Sequence, residues 1–257
     1  MDVPAAVDVP TLLGAGVPAE ADQALLTFCD DATGERTELS ASALGGWAAR
    51  TAGLLREGCG LGVGSRAAVL LPPHWQTAAV LLGAWSVGVA VSFRLAATAG
   101  LPVLEPGADE PLDVTFVARD RLDNWLEDVP EAHHRFALGL APAAAPLSGV
   151  PVGYRDYIAE VRRYPANLPT YALVRRTDPA SVDGTSYREW GSLAREVAES
   201  LDLRAGDRLL INAAETEHPV KWLLAPLAVG ASVVLCANLA PEAVAARASA
   251  ERVTRVL

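Results

Sequence analysis

Two stretches of this sequence repeat each other at a spacing of 142 residues. Residues 61–66 (LGVGSR) match residues 203–208 (LRAGDR), and residues 87–89 (VGV) match residues 229–231 (VGA). Repetition at a fixed spacing indicates one supersecondary unit that is used more than once. The chain is therefore predicted to contain two related halves.

Within each half, short apolar runs alternate with segments whose apolar residues recur at helical spacing. This alternation favours parallel sheets covered by helices. We predict an α/β fold in which two similar αβαβ units form mostly parallel sheets flanked by helices, and the units could share one sheet or form two facing sheets. The predicted strands are 24–30 and 36–39 (a hairpin), 66–71, 89–93, 114–118, 171–175 and 253–257, and the predicted helices are 41–57, 75–87, 122–126, 154–163, 187–201 and 241–251.

We predict a single domain over residues 1–257. Repeat unit 1 covers about 36–95, and repeat unit 2 covers about 183–257. Between them lies a middle part, about 96–175, which is expected to be irregular because it is rich in Ala, Gly and Pro. Residues 137–151 have the composition of a linker.

Net charge and composition limit the kinds of binding partner and the location that we expect for this protein. The net charge is −10 at pH 7. Such a surface repels nucleic-acid phosphates and anionic lipid headgroups, so neither nucleic acid nor membrane is an expected partner. The first ten residues include two aspartates and no basic residue, and we expect no signal peptide. The three cysteines are widely spaced and form no CxxC pair, which predicts free thiols and a cytoplasmic location.

An ordered series of short motifs runs through most of the chain. It comprises RTELS at 36–40 before a helix, GVGSRAAV at 62–69, LPPH at 71–74, GDRLL at 206–210, LAPL at 224–227, GASVVL at 230–235 and ERVT at 251–254. In this order the motifs resemble the front part of AMP-forming acyl-CoA synthetases and adenylation enzymes. The resemblance implies the N-terminal fold of that family, in truncated form.

The segment that should hold the phosphate loop of that family departs from the family pattern. The family loop is rich in Ser, Thr and Gly and ends in Pro-Lys-Gly, whereas residues 178–188 have the sequence DPASVDGTSYR, and Lys221 is the only lysine of the chain. The segment lacks most of the glycines that let backbone N–H groups approach phosphate oxygens. The later nucleotide-binding motifs and the C-terminal catalytic domain of the family are also missing. We therefore expect no catalytic residues and no ligase activity.

The first candidate ligand site consists of Asp183, Gly184, Thr185 and Ser186, which precede a predicted helix. The N-terminus of a helix can hold an anion, and the resemblance places phosphate here. The alternative is ordinary helix capping, with Ser186 and Glu189 as a capping box.

The second candidate site consists of Glu215 and His218, in a loop between a predicted strand end and a helix. Ligands of open α/β sheets bind at that edge, and in the resembling enzymes a histidine near this position lies by the acyl pocket. The alternative is a helix-start loop with solvated charges. His74 and Trp75 occupy the equivalent place in the first repeat, where simple packing is the competing interpretation.

Two further motifs favour structural interpretations. The glycines of residues 60–64 (GLGVG) follow a helix and open a strand, which is the reverse of a dinucleotide-binding fingerprint, so a helix end and a turn are predicted. His133 and His134 are an isolated pair in a polar segment without a cluster of Cys or carboxylates. We therefore expect no metal site.

Three classes of function remain. The chain could be a non-catalytic interaction or regulatory protein, a vestigial module that binds a nucleotide, an acyl group or CoA, or an active AMP-forming ligase, which the departures disfavour. No cofactor is expected, and ATP, AMP or CoA would bind only if a vestigial pocket survives. The apolar run at 253–257 predicts an exposed strand that a protein partner, most simply a second copy in a homodimer, would cover.

Overall fold

The computed structural model describes residues 23–95, 111–124, 129–167 and 174–257. These residues form strands that assemble into two separate sheets of five strands each. The strands are β1 (Ala24–Asp30), β2 (Glu35–Ser40), β3 (Arg66–Leu70), β4 (Ala90–Phe93), β5 (Leu112–Ala118), β6 (Ala132–Leu138), β7 (Arg155–Asp156), β8 (Arg208–Asn212), β9 (Ser232–Ala237) and β10 (Arg255–Val256).

Helices follow most of these strands. The α-helices are α1 (Ala41–Gly53), α2 (Trp75–Ser86), α3 (Arg121–Asn124), α4 (Tyr157–Val161), α5 (Tyr187–Ser200), α6 (Ala225–Val229) and α7 (Val244–Ala250). A π-helical turn, Leu54–Gly58, extends α1, and another, Val220–Leu224, leads into α6. Short 3₁₀ turns lie at Pro142–Ala144 and Pro241–Ala243.

Sheet A joins the N-terminal hairpin, whose second strand opens repeat unit 1, to the strands of the second repeat, and sheet B holds β3 and β4 of the first repeat. The strand order of sheet A is β10-β8-β9-β1-β2, in which only the β1–β2 pair is antiparallel. The order of sheet B is β4-β3-β5-β6-β7, and all of its pairs are parallel. The two repeat units therefore lie in two different sheets, which is one of the two arrangements that the sequence left open.

The helices α1 and α2 pack between the sheets. Both contact β1 of sheet A, and α2 also contacts β4 of sheet B. Every residue of α2 from Trp75 to Trp85 is buried, as expected for a helix with protein on all sides. One large core cluster takes in the inner faces of both sheets together with α1, α2, α5 and α6.

The remaining faces of the sheets are covered more thinly. On sheet A, Val244 and Ala248 of α7 pack against Leu210 and Val234. On the outer face of sheet B, Leu122 of α3 packs against the buried strand residues. No helix in the described part of the chain is long and apolar enough to cross a membrane.

Most predicted elements of the two repeats are confirmed. The hairpin, the helix after it, and the strand–helix–strand series of the first repeat lie within a few residues of their predicted bounds. Ser40 accepts a hydrogen bond from Ala43 N–H and so begins α1 as its N-cap. Gly60 and Gly64 both have positive φ, in agreement with the turn predicted for residues 60–64.

The middle part is more regular than predicted, and this corrects the sequence interpretation. Residues 112–161 supply β5, β6, β7 and α4, so the proposed linker at 137–151 begins inside a strand. His133 and His134, expected in a polar segment, belong to β6. The predicted helix at 154–163 is a short strand followed by one helical turn. The composition of this middle part did not indicate β6 and β7, because strands buried in a parallel sheet need no alternating pattern of apolar and polar residues.

Other predictions fall partly outside the described residues. The predicted strand at 171–175 has only residues 174 and 175 described, and neither is in a strand. The first 22 residues, most of 95–111, and residues 125–126 of the predicted helix at 122–126 also lie outside. The predicted strand at 253–257 is reduced to β10.

Candidate ligand site

The loop before α5 is attached to the edge of sheet B. Val91 of β4 donates its N–H to the carbonyl of Ala180 (3.0 Å), and Val182 donates its N–H to the carbonyl of Val91 (3.2 Å). Trp85 at the end of α2 donates its indole N–H to the same Ala180 carbonyl (2.9 Å). Hydrogen bonds to β4 and to the end of α2 therefore fix the backbone of this loop at residues 180 and 182.

Hydrogen bonds within the protein occupy the N–H groups that a bound phosphate would need. Asp183 Oδ1 accepts from the Ser181 hydroxyl and from Thr185 N–H (2.9 Å). Burial opposes ionisation of Asp183, but these hydrogen bonds outweigh it and lower the pKa of the carboxyl group. Further backbone donors with protein acceptors are those of Gly184 (to Ser181 O), Ser186 (to Glu189 Oε2), Tyr187 (to Asp178 O), Arg188 (to Arg176 O) and Trp190 (to Ser186 O).

The start of α5 is a capping box. The Ser186 hydroxyl accepts from Glu189 N–H, while the Glu189 carboxylate accepts from Ser186 N–H. The hydrogen bonds from Ser186 lower the pKa of Glu189, so this carboxylate is charged at neutral pH. Together with Asp183, it places two negative charges at the helix start, where the helix dipole favours them.

His218 lies at the start of the π-helical turn before α6, against aromatic side chains. Its ring stacks on Trp190 with 5.5 Å between ring centroids and 9° between planes, and lies 5.5 Å from Phe93. Its Nδ1 accepts from Val220 N–H (3.4 Å), which leaves the proton of the neutral ring on Nε2. Burial, and secondarily Lys221, lower the pKa of His218, so the ring is neutral at pH 7.

The structure connects His218 to the loop before α5 through Trp190. Trp190 stacks on His218 and donates its indole N–H to the Ser181 hydroxyl (3.0 Å), which in turn binds Asp183. The candidates Gly184, Thr185 and Ser186 belong to the same loop. Glu215 is exposed and accepts a hydrogen bond from Asn212 at the end of β8.

Comparison with known proteins places the chain in a family. No family model matches it. A TIGR03089 family protein of Mycobacterium tuberculosis (strain ATCC 25618 / H37Rv) is 39% identical over 240 residues, which are 90% of this chain and 90% of the relative. The chain belongs to the TIGR03089 family.

Solved structures assign the fold of this TIGR03089 member. An acyl-CoA synthetase from Brucella canis superposes with a TM-score of 0.71 at 17% identity, covering 97% of this chain and 47% of that one. The N-terminal domain of FACL13 from Mycobacterium tuberculosis gives a TM-score of 0.70 at 14% identity, with 97% and 62% covered. The family member thus has the fold of an acyl-CoA synthetase N-terminal domain, and spans about half the length of the Brucella enzyme.

Sequence reasoning did not find the aromatic contacts of His218. Trp190 lies in the predicted helix 187–201 and Phe93 ends the predicted strand 89–93, and aromatic residues in such elements are usually core residues. Phe93 also lies 6.2 Å from Trp85, so the aromatic group extends to the end of α2. The packing of α5 against the end of β4 brings Trp190 and Phe93 next to His218.

His74 has the same capping geometry as His218 but is buried. Its Nδ1 accepts from Gln76 N–H (3.0 Å) at the start of α2, just as Nδ1 of His218 accepts from Val220 N–H. Its ring packs edge-on against Phe28, with 4.2 Å between centroids. This geometry supports packing for His74. Among the described residues, no cluster of His, Cys, Asp and Glu has the arrangement of a metal site.

Proposed function

We propose that this chain is a non-catalytic relative of the adenylating enzymes, which acts through protein contacts or regulation and forms no acyl adenylate. The observation that carries the proposal is the closed loop at residues 180–190. Nearly all of its backbone donors bind protein acceptors, and Asp183 and Glu189 place two negative charges at the helix start to which the resemblance assigns a phosphate.

The free-energy cost of opening the loop at residues 180–190 supports a chain that does not transfer an adenylyl group. Phosphoryl and adenylyl transfer depend on positively charged groups and free N–H donors directed at the phosphates. Opening the loop would break several hydrogen bonds, each worth about 0.5–1.5 kcal/mol net. It would also bring a polyanion against Asp183 and Glu189. The only lysine, Lys221, is exposed in the π-helical turn before α6 and belongs to a different loop.

The test is pyrophosphate exchange with ATP and Mg²⁺ across a panel of fatty acids and amino acids. We expect no exchange above the level without enzyme, while an active acyl-CoA synthetase run in parallel confirms the assay. Exchange that persists in His133→Ala but is lost in His218→Ala would contradict the proposal. His133 is a suitable control because it is exposed on β6.

A second candidate function is small-molecule binding without catalysis. The environment of His218 favours this function. The side chain is half-buried, and it presents an Nε2–H donor beside the aromatic rings of Trp190 and Phe93. A planar or apolar group with an adjacent hydrogen-bond acceptor would fit such a surface. AMP, CoA and acyl-CoA are the ligands to try.

Thermal shift distinguishes this binding module from an interaction protein. A ligand at a hundredfold excess over its Kd stabilises the folded state by about 2.7 kcal/mol, which is easily measured. If the binding module is correct, one of these ligands raises the Tm of the native chain and of His133→Ala but not of His218→Ala. If none raises the Tm at millimolar concentration, the second candidate is wrong.

A further inference from the structure

Two cysteines lie side by side in the middle of sheet A. Cys29 of β1 and Cys236 of β9 are partners in the parallel register of the sheet. Both belong to the small core cluster on the face that α7 covers, so their side chains lie on the same side. They are 1% and 0% exposed.

We propose that Cys29 and Cys236 form a reversible disulfide when the protein meets a peroxide. Neighbouring strands are about 4.8 Å apart, and a disulfide accepts Cα atoms 4.4–6.8 Å apart. The Cβ atoms must come slightly closer than in an ordinary pair of facing residues. A bond formed with such strain is readily reduced again.

The surroundings give the two thiols different roles. The S–H of Cys236 interacts with the sulfur of Cys29 and is the main reason that the pKa of Cys29 is lowered. Arg247 and Arg36 act in the same direction, against burial and Glu251. The same interaction raises the pKa of Cys236. The Cys29 thiol is directed at the carboxylate of Glu251 (3.9 Å), which can accept its proton, so Cys29 is assigned as the thiol that attacks and Cys236 as the thiol that resolves.

The reaction is balanced with one peroxide. The Cys29 sulfur attacks one oxygen of H₂O₂, the O–O bond breaks, and the thiol proton leaves with the departing hydroxide as water. This gives a sulfenic acid at Cys29. The Cys236 sulfur then attacks the Cys29 sulfur, the S–O bond breaks, and the Cys236 proton leaves with the hydroxyl group as a second water. Two thiols are oxidised to a disulfide and H₂O₂ is reduced to two molecules of water.

Access for the peroxide is through α7. This helix has seven residues, none of them buried, and within the described part of the chain no side chain caps its start. Helices this short are marginal without strong packing. To open, α7 must release the ion pair between Arg247 and Asp31. Glu251 at its C-terminal end can stay bound to Arg36 and Arg208. The helix covers the pair with small side chains, among them Val244 and Ala248. A small oxidant such as H₂O₂ reaches the pair when α7 opens.

The test uses the full chain with Cys59→Ser, which removes the third thiol and keeps the pair. After H₂O₂ and removal of the excess, the protein is unfolded, alkylated and weighed. We expect the mass to fall by two hydrogens, neither Cys29 nor Cys236 to be alkylated, and both to be alkylated after dithiothreitol. Peptide mapping should recover the Cys29–Cys236 link. In Cys59→Ser with Cys236→Ser, Cys29 should gain oxygen instead.

Three results would overturn the proposal. Both thiols could remain alkylatable after peroxide, the pair could gain oxygen without a link, or the link could form only in urea. In the native chain, Cys59 serves as an internal comparison, because burial raises its pKa in spite of a hydrogen bond from Arg155. If Cys59 reacts with peroxide before Cys29, the proposed activation of Cys29 is wrong.

Discussion

At the scale of the residue, His74 shows how strongly burial changes side-chain chemistry. Its position as the N-cap of α2 places the ring against Phe28, inside the layer between the sheets. Burial lowers the pKa of His74 to about 3, although Asp30 acts in the opposite direction. The ring is therefore neutral in the folded protein at pH values where the unfolded chain is already protonated.

This difference predicts a pH dependence of stability. The unfolded pKa is near 6.5 and the folded pKa is near 3, so the contribution of His74 is complete above pH 6.5 and is lost as the pH falls toward 3. Between pH 6.5 and 4.5 the free energy of unfolding should fall by about 2 kcal/mol. His74→Asn keeps a capping acceptor without a titrating ring. Urea unfolding at several pH values should show a shallower loss for this variant, and parallel curves would contradict the prediction.

At the scale of the element, the approach of α1 and α2 depends on Gly83. A Cβ atom at this position would lie 2.5 Å from the Thr51 Cβ and 2.8 Å from the carbonyl oxygen of Ala48. Thr51 cannot move aside freely, because its hydroxyl is hydrogen-bonded to the buried Tyr157 (2.6 Å). The backbones of α1 and α2 therefore approach each other closely at Gly83.

Gly83→Ala should consequently destabilise the fold. Overpacking of a dense core costs about 1–3 kcal/mol, which exceeds the gain of roughly 0.5–1 kcal/mol from replacing a helical glycine by alanine. Gly45→Ala in α1 is the matched control, because no atom of the described residues lies within 4 Å of its Cβ position. Denaturant unfolding should show the first variant weaker and the second slightly stronger than the native chain. Equal stability of the two variants would contradict the prediction, because it would mean that α1 and α2 can move apart at Gly83 without a loss of free energy.

At the scale of the whole molecule, the shared core predicts that the two sheets unfold together. One cluster of buried residues contains Phe28 and Leu235 of sheet A as well as Phe116 and Phe136 of sheet B. Splitting the molecule between the sheets would expose this apolar surface at about 25 cal/mol per Å². We expect one calorimetric transition, with coincident changes in far-UV and near-UV circular dichroism. Two separate transitions would show that each sheet has an independent core.

Much of the fold was open to prediction from local patterns. The hairpin, the strand–helix–strand series of both repeats and the capping box at Ser186 depend on residues close in sequence, whose periodicity and capping chemistry are visible in the chain. The strands β6 and β7 were missed because short buried strands leave no clear pattern. The ligand-site assignments at Asp183, Gly184, Thr185, Ser186, Glu215 and His218 stay predictions, as does a partner at β10.

Alternation and helical spacing are local properties, so the residues alone predict two αβαβ units with mostly parallel strands. Three features depend on packing between distant parts of the chain: the placement of the units in two facing sheets, the link of Trp190 between His218 and the loop at Asp183, and the position of Cys29 beside Cys236. These contacts join residues far apart in the chain. A strand pattern specifies which face is buried but not which strand is its neighbour, and the neighbour is chosen by packing of the whole core.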